Sequence, residues 1–323
     1  MEFNKMNIRT WSMLGPSGAF GLAACELAKN DKDFAVLTAD LCNFSGLDRF
    51  AKNYPQQFYN IGIAEQNMIG VAAGMTKEGM NTFVTTYASF ISTRVMDQVK
   101  VNLGYMGLPV KLVGLTSGFS AGILGATHMA LEDIAIIRAI PNIVILSPAD
   151  AAETMKSVLA AAQLSVPVYI RMSGASRSPV LHNGDFDFEI GKAIRLKDGK
   201  DIAIFATGTM VSEAMTVADR FSDIGISCEV TDIHTIKPID YEAIGKACSK
   251  KLIVTVEEHS RIGGLGSTVA EVLAPISCVP PQLLIGTDDT YLHAASYSTL
   301  MERSGLTAEQ IYNQIFKFYK ENI

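Results

Sequence analysis

Tryptophan occurs once in these 323 residues, at Trp11, and cysteine only five times. Cys25, Cys42, Cys228, Cys248 and Cys278 are odd in number, far apart and mostly set among apolar neighbours. That pattern argues against a disulfide framework and a zinc site, and predicts reduced thiols, mostly in the core. Basic runs are missing too. Lysine and arginine total 27 against 33 acids, a net charge of −6, so nothing forms the electrostatic footprint a polynucleotide needs. The longest glycine-rich apolar stretch, residues 112–126, is interrupted by Thr116, Ser117 and Ser120, and the opening MEFNKMNIRTWSM lacks an apolar h-region. Neither a membrane span nor a signal peptide is expected, and the chain is expected in the cytoplasm. There is no solenoid or propeller repeat and no Walker-type phosphate loop. The segment VTVEEHSRIGGLGS (254–267) carries glycines after a strand but does not fit G-x-G-x-x-G. Its Glu257, Glu258 and His259 read as structural residues near a domain contact.

The residues present describe a well-buried globular protein, 48% hydrophobic and 19% charged. A prior of roughly 100 to 200 residues per domain makes this length two domains. Short apolar or β-branched runs at 35–38, 58–61, 82–86, 110–115, 143–146 and 168–171 alternate with helical patterns near 19–28, 64–77, 89–103, 130–139 and 149–164. Such alternation predicts a mostly parallel sheet covered on both faces. From 173 to 200 the texture turns to Ser, Gly, Pro, Asn and Asp clusters. A second alternation follows, with strands at 202–207, 228–232, 252–256 and 283–285 and helices near 211–222, 241–248, 267–273 and 308–319. The expected fold is α/β with two doubly wound domains: a larger one over 1–180, a linker over 181–200 and a smaller domain over 201–323.

The most informative stretch is NIGIAEQNMIGVAAGM (60–75), which holds one carboxylate, Glu65, between an apolar strand end and a small-residue helix. Ala64, Met68, Val71 and Ala72 form an apolar stripe at helical spacing, so Glu65 falls in the first helical turn at the mouth of a sheet, where α/β folds bind ligands. A first-turn acid also complements the helix dipole, which is the plainer reading. Tyr87 and Phe90 stand three apart at a strand-to-helix transition with Phe83 four residues earlier, a stacking surface or an ordinary core cluster. His128 follows a glycine-rich loop, where an imidazole can cap a helix or serve a ligand as donor and acceptor together.

Five further words follow in order: TFVTTYASF (82–90), GATHMALED (125–133), IPNIVILSPAD (140–150), HTIKPID (234–240) and VTVEEHSRIGGLGS (254–267). With the Glu65 segment they resemble the C-terminal half of the transketolase family, and more distantly deoxyxylulose phosphate synthases and the beta subunits of 2-oxo acid dehydrogenases. The resemblance covers nearly the whole chain. It implies thiamin diphosphate as cofactor, with Glu65 serving the pyrimidine N1′, Tyr87, Phe90 and Phe83 around the pyrimidine, and Asp40 close to the cofactor. Asp40 also reads as a helix N-cap. Burial disfavours a charged carboxylate in general, which makes proton sharing between a buried acid and a ring nitrogen feasible near neutral pH. By the same resemblance His128 lies on the substrate side of the cofactor, as a catalytic hydrogen-bond partner for sugar hydroxyls or the intermediate's oxygen.

The chain departs from the family at informative places. Many transketolases carry an aspartate four residues before the histidine, and here Leu124 occupies that position; where they carry an HDS word, this chain reads Thr116–Ser117–Gly118. Replacing a hydroxyl acceptor by an isobutyl group removes a polar contact and puts ordinary ketose phosphates in doubt. Arg171 and Arg177, in YIRMSGASRSP, are alternative anchors for a substrate phosphate. The family's GDG word and its downstream asparagine pair, which hold magnesium and the diphosphate, are not found, and the sequence starts where a pyrimidine-binding domain would start. The expectation is the C-terminal, or beta, subunit of a split transketolase. A separate N-terminal subunit would supply the diphosphate site and the Mg2+ ligands, with none of those ligands on this chain, in an α2β2 assembly joined across the pyrimidine-binding domain. Small sugars are the expected substrates, ketol transfer the expected reaction. The rivals are another thiamin enzyme, of the deoxyxylulose phosphate synthase or 2-oxo acid dehydrogenase kind, and a non-catalytic stabilising partner.

Overall fold

Two twisted sheets with helices on their faces make up the computed structural model, which describes residues 1–174 and 176–323. The first sheet holds seven strands in the order β10-β5-β6-β4-β3-β1-β2: β1 (Phe34–Thr38), β2 (Phe58–Asn60), β3 (Asn81–Tyr87), β4 (Lys111–Ser117), β5 (Val144–Leu146), β6 (Val168–Ser173) and β10 (Thr235–Lys237). All its pairs are parallel except β10 with β5. The second sheet runs β12-β11-β8-β9-β7, with β7 (Ile194–Lys197), β8 (Ile202–Ala206), β9 (Cys228–Asp232), β11 (Leu252–Ser260) and β12 (Gln282–Thr287). Here β7 is the antiparallel edge, paired with β9.

The helices are α1 (Lys5–Asn30), α2 (Asp48–Asn53), α3 (Glu65–Lys77), α4 (Met96–Gln98), α5 (Asp133–Arg138), α6 (Ala151–Ala161), α7 (Met210–Ser222), α8 (Tyr241–Ala247), α9 (Leu265–Leu273), α10 (Tyr297–Arg303) and α11 (Ala308–Asn322). Strands such as FAVLT of β1 are buried from end to end, as expected of parallel strands covered on both faces. On β3, Val84 and Phe83 point to opposite faces. Val84 joins α3 and α5, while Phe83 joins the α1 and α6 side. The core on the α3 face continues through Phe205 and Ile253 to α8 and α9, so one apolar layer serves both sheets.

Three elements differ from the sequence pattern for local reasons. The helix expected at 19–28 begins at Lys5, because α1 crosses a kink at Gly15 (φ 74°) with Pro16 beside it. The helix expected at 89–103 is irregular: α4 lies between wide π-helical turns at Phe90–Arg94 and Val99–Tyr105. The segment 181–200 is more than a linker, since its end forms β7. β10 was not expected at all. Three residues leave too short a signal, yet they place a strand from the second half of the chain on the first sheet, where Lys237 Nζ donates to the carbonyls of Arg138 and Ile140 at 3.0 and 2.6 Å.

A buried polar network clamps the sheets together. Arg171 on β6, 1% exposed, donates from Nε to Asp133 Oδ2 at 2.8 Å and from Nη2 to the carbonyls of Ala130 and Glu258 at 3.2 and 2.9 Å. Tyr169 Oη donates to the same Asp133 oxygen at 2.7 Å. Glu258 of β11 accepts the Phe119 N–H at 2.6 Å and the hydroxyls of Thr209 and Tyr297 at 2.5 and 2.8 Å. Glu257 accepts the Leu265 and Gly266 N–H groups at the start of α9, and burial pushes it up to about 7. Burial holds His259 down at about 4, so its ring is neutral: Nδ1–H donates to the Ser260 carbonyl at 2.7 Å and Nε2 faces the Ala135 N–H at 3.4 Å. The EEH word is structural and sits at the domain contact, as the sequence suggested.

Arg171→Met removes the cation from this network and leaves the buried Asp133 without its partner, so it should lower unfolding stability by about 3–5 kcal/mol. Asp133→Leu combined with it should recover part of that loss. Denaturant unfolding of the three proteins measures both effects.

Candidate functional site

The site lies at the carboxyl ends of β1, β2, β3 and β4. The chain passes from β1 to β2 on one side and then to β3 on the other, and this reversal opens a crevice. After β2, Gly62 adopts φ 76°, which a side chain would resist, and the chain turns into α3 with Glu65 in its first turn. Glu65 is 4% exposed, and its Oε1 accepts a 2.7 Å hydrogen bond from Arg94 Nη1. Among the described residues no donor reaches Oε2. Across the crevice, Asp40 follows β1 in a left-handed conformation (φ 59°). Asn60 fastens it: Asn60 Nδ2 donates to Asp40 Oδ1 at 2.9 Å, while Asn60 Oδ1 accepts the N–H groups of Asp40 and Gly62 at 3.1 and 3.0 Å.

Three rings meet beside this acid. Tyr87 and Phe90 pack edge-on at 5.7 Å, and the His128 ring sits against both, 5.4 Å from Tyr87 and 5.2 Å from Phe90. All three are half-buried, so each keeps surface for a ligand. Burial raises the Tyr87 hydroxyl above its ordinary range, leaving it a neutral donor. The Arg94 guanidinium lies 4.0 Å from the centre of the Phe90 ring. Thr127 Oγ1 is 3.1 Å from His128 Nδ1, and the His128 N–H donates to the Gly125 carbonyl at 3.0 Å. A cavity of about 550 Å3 opens next to them, lined by Phe90, Thr93, Arg94, Thr127, Glu132 and, from the second domain, Tyr291. Burial raises the Glu132 carboxyl. The arrangement combines a buried acid with one open oxygen, half-buried aromatic faces and an imidazole ring, which suits a flat heterocycle that must share a proton.

Comparison with known proteins gives the family. Residues 14–176 match the family model "Transketolase, pyrimidine binding domain" and residues 191–311 match "Transketolase, C-terminal domain". The chain belongs to the transketolase family. It is 39% identical to the putative transketolase C-terminal section of Methanocaldococcus jannaschii, covering 95% of this chain and 97% of that protein. It is also 39% identical to one of the subunits of the apulose-4-phosphate transketolase of Phocaeicola vulgatus, over 96% and 99% of the two chains. A solved split-gene transketolase, an inactive β4 tetramer, superposes with a TM-score of 0.87 at 37% identity, over 96% of this chain and 99% of that one. A 1-deoxy-D-xylulose-5-phosphate synthase of Caldanaerobacter subterraneus matches at 34%, the chain spanning 49% of its length. The transketolase C-terminal, split-type resemblance therefore holds, as does the two-sheet α/β fold.

Glu65, Tyr87, Phe90 and His128 converge on one crevice, with Asp40 on its rim. Asp40 caps no helix: the next one, α2, begins at Asp48. Leu124, 49% exposed, ends a 3₁₀ turn over Gly122–Leu124 on the loop leading to His128. Two expectations need correction. Phe83 is fully buried against Phe34, ring centres 5.4 Å apart, and offers no face to a ligand. Arg171 is spent on Asp133 and two carbonyls and has no reach to a substrate phosphate. Arg177 lines a different cavity, of about 450 Å3, with Thr209, Glu213 and Tyr297. Sequence reasoning also missed Arg94, Asn60 and Tyr291. Arg94 stands four residues after Phe90, a spacing that marks a shared helix face, and Asn60 opens the Glu65 word itself.

The reassignment of Phe83 has a direct test. Phe83→Ala should cost about 3–5 kcal/mol of stability as a core cavity, whereas Tyr87→Ala, at a half-exposed position, should cost much less. Thermal or urea unfolding of the two variants distinguishes a core ring from a ligand-facing one.

Proposed function

We propose that this chain is the pyrimidine-binding half of a two-subunit transketolase, and that with a separate N-terminal subunit it transfers a two-carbon ketol unit from a ketose donor to an aldehyde or ketone acceptor. The observation that carries the reading is the buried Glu65 with one carboxylate oxygen open beside the half-buried Tyr87, Phe90 and His128. These residues fit the aminopyrimidine of thiamin diphosphate. When bound, that cofactor supplies the carbon nucleophile and electron sink that ketol transfer requires. Glu65 Oε2 would hold the proton shared with the ring nitrogen N1′, and Tyr87 and Phe90 would exclude water and fix the ring by their faces. His128 would bridge substrate oxygens from the opposite side through hydrogen bonds of its ring nitrogens. The diphosphate and Mg2+ would be held by the N-terminal subunit.

Relatives support the partnered reading by name: one is a C-terminal section, another is one subunit among those of its enzyme, and the split-gene relative is inactive as a β4 tetramer. That tetramer also supports self-association of this chain, in an α2β2 enzyme. Substrate names among relatives vary, from apulose 4-phosphate to 6-deoxy-6-sulfo-D-fructose. This variety fits an apolar Leu124 in place of the usual acid.

Alone, the chain should show no ketol transfer and bind thiamin diphosphate poorly, because most anchoring groups reside elsewhere. Calorimetry checks this, and tight Mg2+-dependent binding by the lone chain would overturn the two-subunit reading. In the assembled enzyme Glu65→Gln should fold yet lose about two to four orders of magnitude in rate, as removal of a general acid or base does. Proton exchange at C2 of the bound cofactor is the assay.

Leu124→Asp should shift kcat/KM toward xylulose 5-phosphate relative to donors lacking or repositioning the matching hydroxyl, by a factor equivalent to about 1–3 kcal/mol. An unchanged ratio would mean that this side chain does not face the sugar.

A further inference from the structure

The geometry points to Arg94 as a positioning residue that fixes Glu65 with Oε1 engaged and Oε2 turned outward for the cofactor's ring nitrogen. This inference rests on the role given to Glu65 above. The pair is asymmetric: Glu65 is 4% exposed and Arg94 42%. An exposed arginine satisfies itself with water and contributes little as a surface ion pair. A buried carboxylate has no such freedom and needs a counter-charge or a donor. The contact therefore serves the acid.

Its form is informative. A guanidinium commonly grips a carboxylate with two parallel hydrogen bonds, which would occupy both oxygens. Here one nitrogen, Nη1, holds one oxygen at 2.7 Å. The second oxygen is left without a donor among the described residues. What prevents a two-point grip is the placement of the guanidinium over the Phe90 ring, 4.0 Å from its centre, where a planar cation is attracted to the aromatic face. Phe90 and Arg94 are the two ends of one π-helical turn, a wide turn found often at functional sites. The main chain is tied as well: Gln66 Nε2, next to Glu65, donates to the Arg94 carbonyl at 3.1 Å. One residue thus sets the distance between the acid and the ring expected to stack on the same heterocycle.

Arg94→Met keeps an apolar stem over Phe90 and removes the charge, while Arg94→Lys keeps the charge and loses the planar fork. Each is assembled with the N-terminal subunit and compared with wild type and Glu65→Gln. Arg94→Met should slow C2 exchange of bound thiamin diphosphate about 10- to 100-fold, the scale of a roughly 1 Å misplacement, while cofactor affinity changes less than about threefold. Arg94→Lys should fall between Arg94→Met and wild type. In the cofactor-free chain, a crystal structure of Arg94→Met should show the Glu65 carboxylate rotated from its present orientation.

Wild-type exchange in Arg94→Met alongside a slow Glu65→Gln would overturn the role of Arg94 alone. Normal exchange in Glu65→Gln would instead overturn the assignment of Glu65. A loss of affinity matching the loss of exchange, or an unmoved carboxylate in the crystal, also refutes positioning. If Arg94→Met fails to assemble, Arg94→Lys carries the test: several-fold slower exchange at unchanged affinity supports the inference, and wild-type exchange overturns it.

Discussion

Arg171 carries its charge on β6 with almost no access to water, and Asp133, Ala130 and Glu258 converge on it from three directions. The first two belong to the domain that binds the candidate ligand, and the third to β11 of the other sheet. A charge so placed is tolerable only while all its partners are in position, which makes the relative setting of the domains close to all-or-none. The loop carrying Leu124 and His128 runs between Phe119, whose N–H is held by Glu258, and Ala130, whose carbonyl is held by Arg171. The crevice inherits its geometry from the clamp.

The Glu65 crevice is built more loosely. Glu65 opens α3, Tyr87 and Phe90 lie on one segment leaving β3, and His128 comes from the loop after β4; the three rings touch by their edges, and Glu65 joins them through a single hydrogen bond to Arg94. Rigid strands fix where the loops start, and side chains of intermediate burial leave room for a ligand. This division suits a site whose remaining wall would come from another chain.

Much of this was readable in the sequence because period and composition report burial. The ten strands expected from apolar runs are all present, and the glycine turn before Glu65 announced the crevice. What escaped was decided by tertiary contact. β10 and β7 are three and four residues long and become strands through their partners. Arg171 and Arg177 look alike as linker-side cations, and only the position of Asp133 sends the first into the core. Phe83 and Tyr87 lie on the same side of β3, but one lies deep under α1 and the other at the strand's open end, a difference of depth that spacing alone does not encode.

β10 carries a last consequence. The strand is encoded more than sixty residues beyond β6, within the second half of the chain, yet it closes the β5 edge of the first sheet. The two modules recognised by separate family models are therefore interlaced, and a protein cut between them would expose β5 as a raw sheet edge prone to pairing with other chains. A break at the apparent boundary between the two modules would cut across a hydrogen-bonded sheet, so neither module keeps this seam by itself.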